Sequence, residues 1–164
     1  MYLIREATVT DVDAILQIAH QTWWPTYEPL LGKEQVAYML DELYTTEKIG
    51  KQITEKQQTF LLLTEDGQPV AFAAYSPRED NAEIYKLHKL YCQPATQGKG
   101  YGKILINAVA SKTLEACKHA LELNVNRYNK AKTFYEKMGF EVIYEEDIPI
   151  GPYWMNDYVM RKSL

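Results

Sequence analysis

Cysteine is scarce in this sequence. The only two, Cys92 and Cys117, lie far apart with no metal-ligand spacing, so no metal is expected and both read as reduced thiols of a cytoplasmic protein. No stretch approaches the roughly 18 apolar residues of a membrane span. The opening MYLIREATVTD lacks a basic segment followed by an apolar run, so it does not read as a signal peptide. Positive charge is not in excess: 18 Lys and Arg against 22 Asp and Glu give a net charge of -4 and a pI near 5.4. That argues against a broad basic face and hence against nucleic acid as partner, while leaving room for a local basic patch. Repeats, linkers and low-complexity segments are missing too. What remains, 164 residues with 46% hydrophobic content, suits one domain over residues 1–164 with one sizeable core. Tyrosine is plentiful, with 13 residues beside three tryptophans; most should be core and some should line a pocket.

The apolar pattern alternates between strand and helix periods. Tyr2 to Ala7 reads as a first strand. Thr10 is expected to open a helix with Asp13 completing a capping box, and Val12, Ile15, Leu16 and Ala19 form its buried stripe. Pro25 and Pro29 are expected to interrupt it. A second helix carries Val36, Leu40, Leu43 and Tyr44, and residues 46–57 form a short helix or loop. Strands follow at Thr59–Thr64 and Val70–Ser76 around an Asp66-Gly67 hairpin turn, then at Glu83–Cys92. A helix from about residue 100 to 117, a strand through Leu121, Leu123 and Val125, a helix from Ala131 to Met138 stopped by Gly139, and two closing strands complete a mixed α/β chain.

Glycine is also sparse, yet Gly98, Gly100 and Gly102 stand at alternate positions in QPATQGKGYGK, where a strand gives way to a helix. A helix start offers unpaired N–H groups and partial positive charge. Glycines ahead of it let the backbone close on a phosphate, and Lys99 and Lys103 add charge. Two common phosphate loops do not fit. Gly102-Lys103 is followed by Ile104 where a Walker loop needs Ser or Thr. The spacing G-x-G-x-G differs from the dinucleotide fingerprint. A glycine-rich turn that merely joins strand to helix is the structural alternative.

Gln97-Gly98-Lys99-Gly100-Tyr101-Gly102 resembles the Q/R-x-x-G-x-G/A signature of the GNAT superfamily of acyl-CoA-dependent N-acetyltransferases. Ala131 to Phe140, AKTFYEKMGF, is similar to that family's A-x-x-F/L-Y-E-K-x-G-F segment, and Leu90-Tyr91-Cys92-Gln93-Pro94 to its L-Y-V-x-P strand end. The resemblance implies a GNAT fold: a mixed, mostly antiparallel sheet of about seven strands, flanked by helices and splayed in the middle. It implies acetyl-CoA as co-substrate, with pantetheine along Leu90, Tyr91 and Cys92 and diphosphate on the N–H groups of Gln97, Gly98, Lys99, Gly100, Tyr101, Gly102 and Lys103. One of the N–H groups on the strand would polarise the thioester carbonyl. The family commonly has Asn where this chain has Tyr128; Asn129, one place on, either reaches the pantetheine or only caps the following helix.

The implied reaction is direct attack by a primary amine, expected on a small molecule, in a ternary complex. The alternative is a non-catalytic coenzyme A-binding sensor or interaction module on the same fold. Tyr135 occupies the family's general-acid position; on its helical stripe it could equally be core. His88 is the candidate base or water relay, since imidazole titrates near neutrality, or else a structural or acceptor-contacting histidine. On strict alternation His88 and Lys86 share a face with Leu90 and Cys92, and Tyr85 lies opposite; a bulge would upset this. Cys92 has no basic partner by spacing and reads as a small apolar residue rather than a nucleophile. Trp24, Tyr27 and Glu28 offer aromatic faces and a carboxylate suited to a cationic amine, whereas Trp23 continues the buried stripe. Ile148 to Trp154 forms a second aromatic loop, expected over the acceptor mouth. The whole chain more loosely resembles small bacterial GNATs, including polyamine acetyltransferases, so a polyamine-like acceptor and a homodimer built through the final strands are compatible with it.

Overall fold

A computed structural model describes residues 1–164. Seven strands form one sheet in the order β1-β2-β3-β4-β5-β7-β6: β1 (Tyr2–Glu6), β2 (Thr59–Glu65), β3 (Gln68–Pro77), β4 (Tyr85–Cys92), β5 (Ala120–Asn126), β6 (Glu141–Ile150) and β7 (Tyr153–Ser163). Every neighbouring pair is antiparallel except β4 with β5. Central β2 and β3 are buried on both faces, as their near-continuous apolar runs TFLLLTE and QPVAFAAYSP require. Alternate residues of these runs feed two separate cores. Phe60, Leu62 and Phe72 pack with helices α1 (Val12–Leu31), α2 (Lys33–Leu43) and α3 (Thr46–Thr54) on one face. Leu61, Leu63 and Ala73 pack with α4 (Tyr101–Glu115) on the other, where α5 (Ala131–Lys137) also lies.

Helix α1 departs from expectation at both ends. Its entry is capped two residues earlier than Thr10 and Asp13 suggest. Asp11 accepts from the Thr8 backbone N–H at 2.8 Å and pairs with Arg5 at 2.8 Å, and a short 3-10 turn over Val9–Asp11 leads in. Asp11 sits only six residues after Arg5, but the pairing depends on where β1 ends, which local spacing does not give. Pro25 and Pro29 do not interrupt: the helix runs through both to Leu31. Each removes one backbone donor, and the buried contacts of Trp23 and Tyr27 with the first core hold the turns between them. Residues 46–54 resolve as a helix, with Thr45 accepting from the Lys48 N–H at 3.1 Å.

The strand that leads into the glycine loop contains an irregularity that sequence alternation alone cannot reveal. Lys89 lies opposite Ala74 and Leu87 opposite Tyr75, so His88 is an extra residue on β4. The bulge reverses the expected parity. Tyr85 and Leu87 fall on the same face as Leu90 and Cys92, against the α4 core, and Lys86 on the other. It also turns Lys89 inward over the Phe60 ring, where Gln52 and Gln58 accept from its ammonium at 3.1 and 2.6 Å. Burial pushes the Lys89 amine down to about 7.

Candidate active site

Strands β4 and β5 are hydrogen-bond neighbours only from Tyr85 to Leu87, against Leu121 to Leu123. Beyond His88 they part. The gap is a cavity of about 520 Å³, walled by Leu90, Tyr91 and Cys92 on one side and Asn124, Val125, Asn129 and Tyr135 on the other. The unpaired edge of β4 therefore offers main-chain groups to an extended ligand, in the manner of strand addition. Thr22, Thr26 and Tyr27 of α1 close its floor.

One end of this cleft meets the start of α4. Gly98 and Gly100 have φ of 89° and 80°, in the left-handed region, and a Cβ on either would meet nothing within 4 Å. The conformation, rather than crowding, calls for glycine there. Gly102 serves differently: a Cβ would lie 3.3 Å from the Phe134 ring, so its absence lets α4 approach α5. Leu105, Ile106 and Val109 are fully buried and fix the helix to the sheet, each contributing roughly 1.5–3 kcal/mol. The loop N–H groups divide. Those of Gln97 and Lys99 bond back to Pro94 and Thr96, both at 3.2 Å, whereas those of Gly98, Gly100, Tyr101, Gly102 and Lys103 make no backbone bond. Five free donors at a helix start suit a phosphate group.

A family model described as an acetyltransferase (GNAT) domain matches residues 28–153. The chain belongs to the GNAT family of acetyltransferases. It is 27% identical to an uncharacterized N-acetyltransferase of Mycobacterium tuberculosis, over 95% of this chain and 99% of that one. It is also 27% identical to a spermidine N(1)-acetyltransferase of Thermoplasma acidophilum, over 98% and 96% of the two chains. The crystal structure of PaiA N-acetyltransferase from Thermoplasma acidophilum, in complex with coenzyme A, superposes with a TM-score of 0.86 at 25% identity, covering 100% of this chain and 99% of that one. The chain is thus a GNAT acyltransferase, and no helix is long and apolar enough to cross a membrane.

Within this GNAT site the candidate side chains sort clearly. The Tyr135 ring lies in the cleft wall and meets Phe134 and Phe140 edge-on, with centroids 5.4 and 6.0 Å away. Burial pushes its phenol well above the usual range, with Cys92 nearby adding to the effect, so it holds its proton. Burial likewise pushes the Cys92 thiol up to about 11, which leaves no thiolate near neutrality. Asn129 does two things at once: its Oδ1 accepts from the Ala131 N–H at 2.9 Å at the start of α5, and its Nδ2 donates to the Tyr27 hydroxyl at 3.3 Å in the cleft.

Of the two readings of His88, its surroundings favour the structural one over the base. Burial, with Lys86 and Lys89 beside it, drives its imidazole down to about 3, and Ser76 Oγ lies 2.7 Å from Nε2. A group so weakly basic does not titrate near neutrality. Lys99 is drawn off by Glu65 at 2.9 Å, and the Tyr101 hydroxyl bonds the same carboxylate while its ring packs in the core. Tyr101 therefore offers its backbone N–H rather than its side chain to a phosphate, and Lys99, whose N–H bonds Thr96, offers neither. Among the proposed acceptor contacts only Tyr27 reaches the cleft; Trp24 packs against the first core and Glu28 is exposed elsewhere. The Ile148–Trp154 turn docks on α2, where Gln35 Nε2 donates to the Trp154 carbonyl at 2.9 Å. Sequence reasoning missed Asn124, which borders the cleft on β5 and whose polar side chain interrupts the apolar alternation Leu121-Leu123-Val125 only on the face that alternation leaves to solvent.

Proposed function

We propose that this GNAT domain transfers the acetyl group of acetyl-CoA to a primary amine of a small molecule, by direct attack in a ternary complex. The observation that carries the reading is the parting of β4 from β5 beyond Leu87, at whose end five unbonded N–H groups stand at the start of α4. The pantetheine would lie along Leu90, Tyr91 and Cys92, and the diphosphate on the N–H groups of Gly98, Gly100, Tyr101, Gly102 and Lys103. When bound, the cofactor supplies an activated acyl carbon. The acceptor reacts as the free amine, having released one proton to water. Its nitrogen attacks the thioester carbon, the C–S bond breaks, and the departing sulfur takes the proton of the Tyr135 hydroxyl. The proton shed by the new amide nitrogen restores the phenol by way of solvent. Cys92, held as a thiol by burial, forms no acyl-enzyme.

A polyamine is the acceptor class we favour, because the spermidine N(1)-acetyltransferase of Thermoplasma acidophilum matches nearly end to end. The test is acetyl-CoA-dependent product formation across polyamines, amino acids, aminoglycosides and peptide N-termini. N-acetylated spermidine is expected. Acetyl-CoA binding without turnover of any amine would instead mark a non-catalytic coenzyme A-binding module.

A further inference from the structure

Glycine by itself would leave the loop ahead of α4 loosely held. No atom lies within 4 Å of where a Cβ would stand on Gly98 or Gly100, so packing does not fix either residue. Glycine also has the most backbone freedom to lose. A loop that had to order itself around each incoming phosphate would bind it more weakly.

Two side chains flank Gly100, and both go to one carboxylate. Glu65 stands at the end of β2, where the hairpin to β3 turns. Its Oε1 and Oε2 accept from Lys99 Nζ at 3.0 and 2.9 Å, and Oε2 also accepts from the Tyr101 hydroxyl. Lys99 and Tyr101 together hold the Glu65 carboxyl below its ordinary range. Tyr101 is the first residue of α4. Its ring lies in the second core, with the Tyr2 ring of β1 5.9 Å away. The residues on either side of Gly100 are thus fastened to the β2–β3 hairpin, and the left-handed conformation between them is set from both ends. The main chain adds a bond from the Lys99 N–H to the Thr96 carbonyl at 3.2 Å and one from the Ile104 N–H to the Gly100 carbonyl at 3.1 Å.

Charge and geometry make opposite demands here. A carboxylate is an unfavourable neighbour for a diphosphate, and Glu65 also occupies the lysine that could have met one. On charge alone, removing Glu65 would strengthen an anion site. On geometry it would weaken the site, because Lys99 and Tyr101 would lose the group that fixes them.

We propose that Glu65 is a positioning residue for the cofactor: by holding Lys99 and Tyr101 it presets the loop from Gly98 to Lys103, so that the free N–H groups are in place before a diphosphate arrives. The inference rests on the acetyl-transfer reading, from which it takes only the seat of the diphosphate. Glu65 acts through its two partners and not by contact with the cofactor.

The test is calorimetric titration with coenzyme A at low and at high salt. Glu65→Ala should weaken binding about tenfold although it removes a negative charge. The loss should persist at high salt, where a purely electrostatic effect would fade. Glu65→Gln keeps an oxygen that accepts from Tyr101 and Lys99, and should restore affinity to within threefold of the unaltered protein. Tyr101→Phe keeps the ring, loses the hydroxyl, and should weaken coenzyme A severalfold. Adding Glu65→Ala to it should weaken binding by a smaller factor than Glu65→Ala does alone, as coupled residues require. Glu65→Ala that binds within twofold of the unaltered protein, or more tightly, overturns the proposal. Glu65→Gln that binds as weakly as Glu65→Ala overturns it too. Either result, with coenzyme A still bound by the unaltered protein, removes only the role of Glu65. Coenzyme A that fails to bind the unaltered protein brings down the acetyl-transfer reading and the role of Glu65 with it.

Discussion

The two cavities that meet at His88 and Asn124 are built in different ways. The cleft between β4 and β5 is shaped by main chain: an unpaired strand edge, five free N–H groups, and walls of apolar and aromatic side chains. The second, a polar cavity of about 630 Å³, is shaped by side chains brought together from different strands, among them Ser76 of β3, Lys86 of β4, Glu122 and Asn124 of β5 and Glu146 of β6. A main-chain site tolerates substitution at most of its positions and fails at the few where conformation is special. A side-chain site depends on the identity of each group. The first suits a large ligand that is always the same, and the second suits the part of the reaction that sets specificity.

Substitutions should separate the two. The largest effect is expected at Gly100. Glutamate there would have to adopt φ near 80°, against a cost of roughly 1–2 kcal/mol, and would set a carboxylate beside the diphosphate. Acetyl-CoA affinity measured by calorimetry should fall about 100-fold or more, equal to roughly 2.7 kcal/mol, while spermidine binding to the cofactor-free protein stays as it was. Retained acetyl-CoA affinity would dismantle the loop assignment. Tyr135→Phe should lower kcat by about 100-fold, the scale of one general acid, with KM for acetyl-CoA little altered; undiminished turnover would remove the phenol from the chemistry.

His88, at the junction, should matter more to acid stability than to the pH dependence of the rate. In the folded chain it stays neutral down to about pH 3, whereas an unfolded imidazole protonates near 6.5. The unfolded state thus gains the extra proton between those values. Stability present above pH 6.5 is lost as pH falls toward 3, by at most about 1.4 kcal/mol per pH unit. His88→Gln should flatten that slope in thermal melts between pH 6.5 and 4. It should also leave the acidic limb of the rate profile where it was, and a shifted limb would reinstate His88 as a base. The smallest effects are expected for Trp24→Phe and Glu28→Gln, which lie away from both cavities. KM for spermidine should stay within twofold, and a larger rise would move the acceptor site toward α1.

The cofactor side was legible because its signals are local. A Gly-x-Gly-x-Gly step between a strand and a helix, and the AKTFYEKMGF segment, each place their functional atoms within one or two turns of chain. The Asp66-Gly67 hairpin and the stop after α5, where the Phe140 N–H donates to the Tyr135 carbonyl at 3.0 Å, were readable for the same reason. Where readings failed, a distant partner had intervened. The bulge at His88 arises from its pairing with β3 and reversed the faces of Lys86 and Tyr85. Burial under two lysines removed the basicity that histidine normally has, and packing of Trp23 and Tyr27 carried α1 through two prolines. Lys99 was expected at the phosphate and is held by Glu65, which lies 34 residues earlier.

By itself the sequence determined the order of the elements, the left-handed glycines and the amides they free at α4, because each depends on residues adjacent along the chain. Only the tertiary structure decided where β4 leaves β5, which side of β4 each side chain takes, and that Glu122, Asn124 and Glu146 come together. Those outcomes depend on register between strands, and a shift of one residue in register moves every side chain to the opposite face.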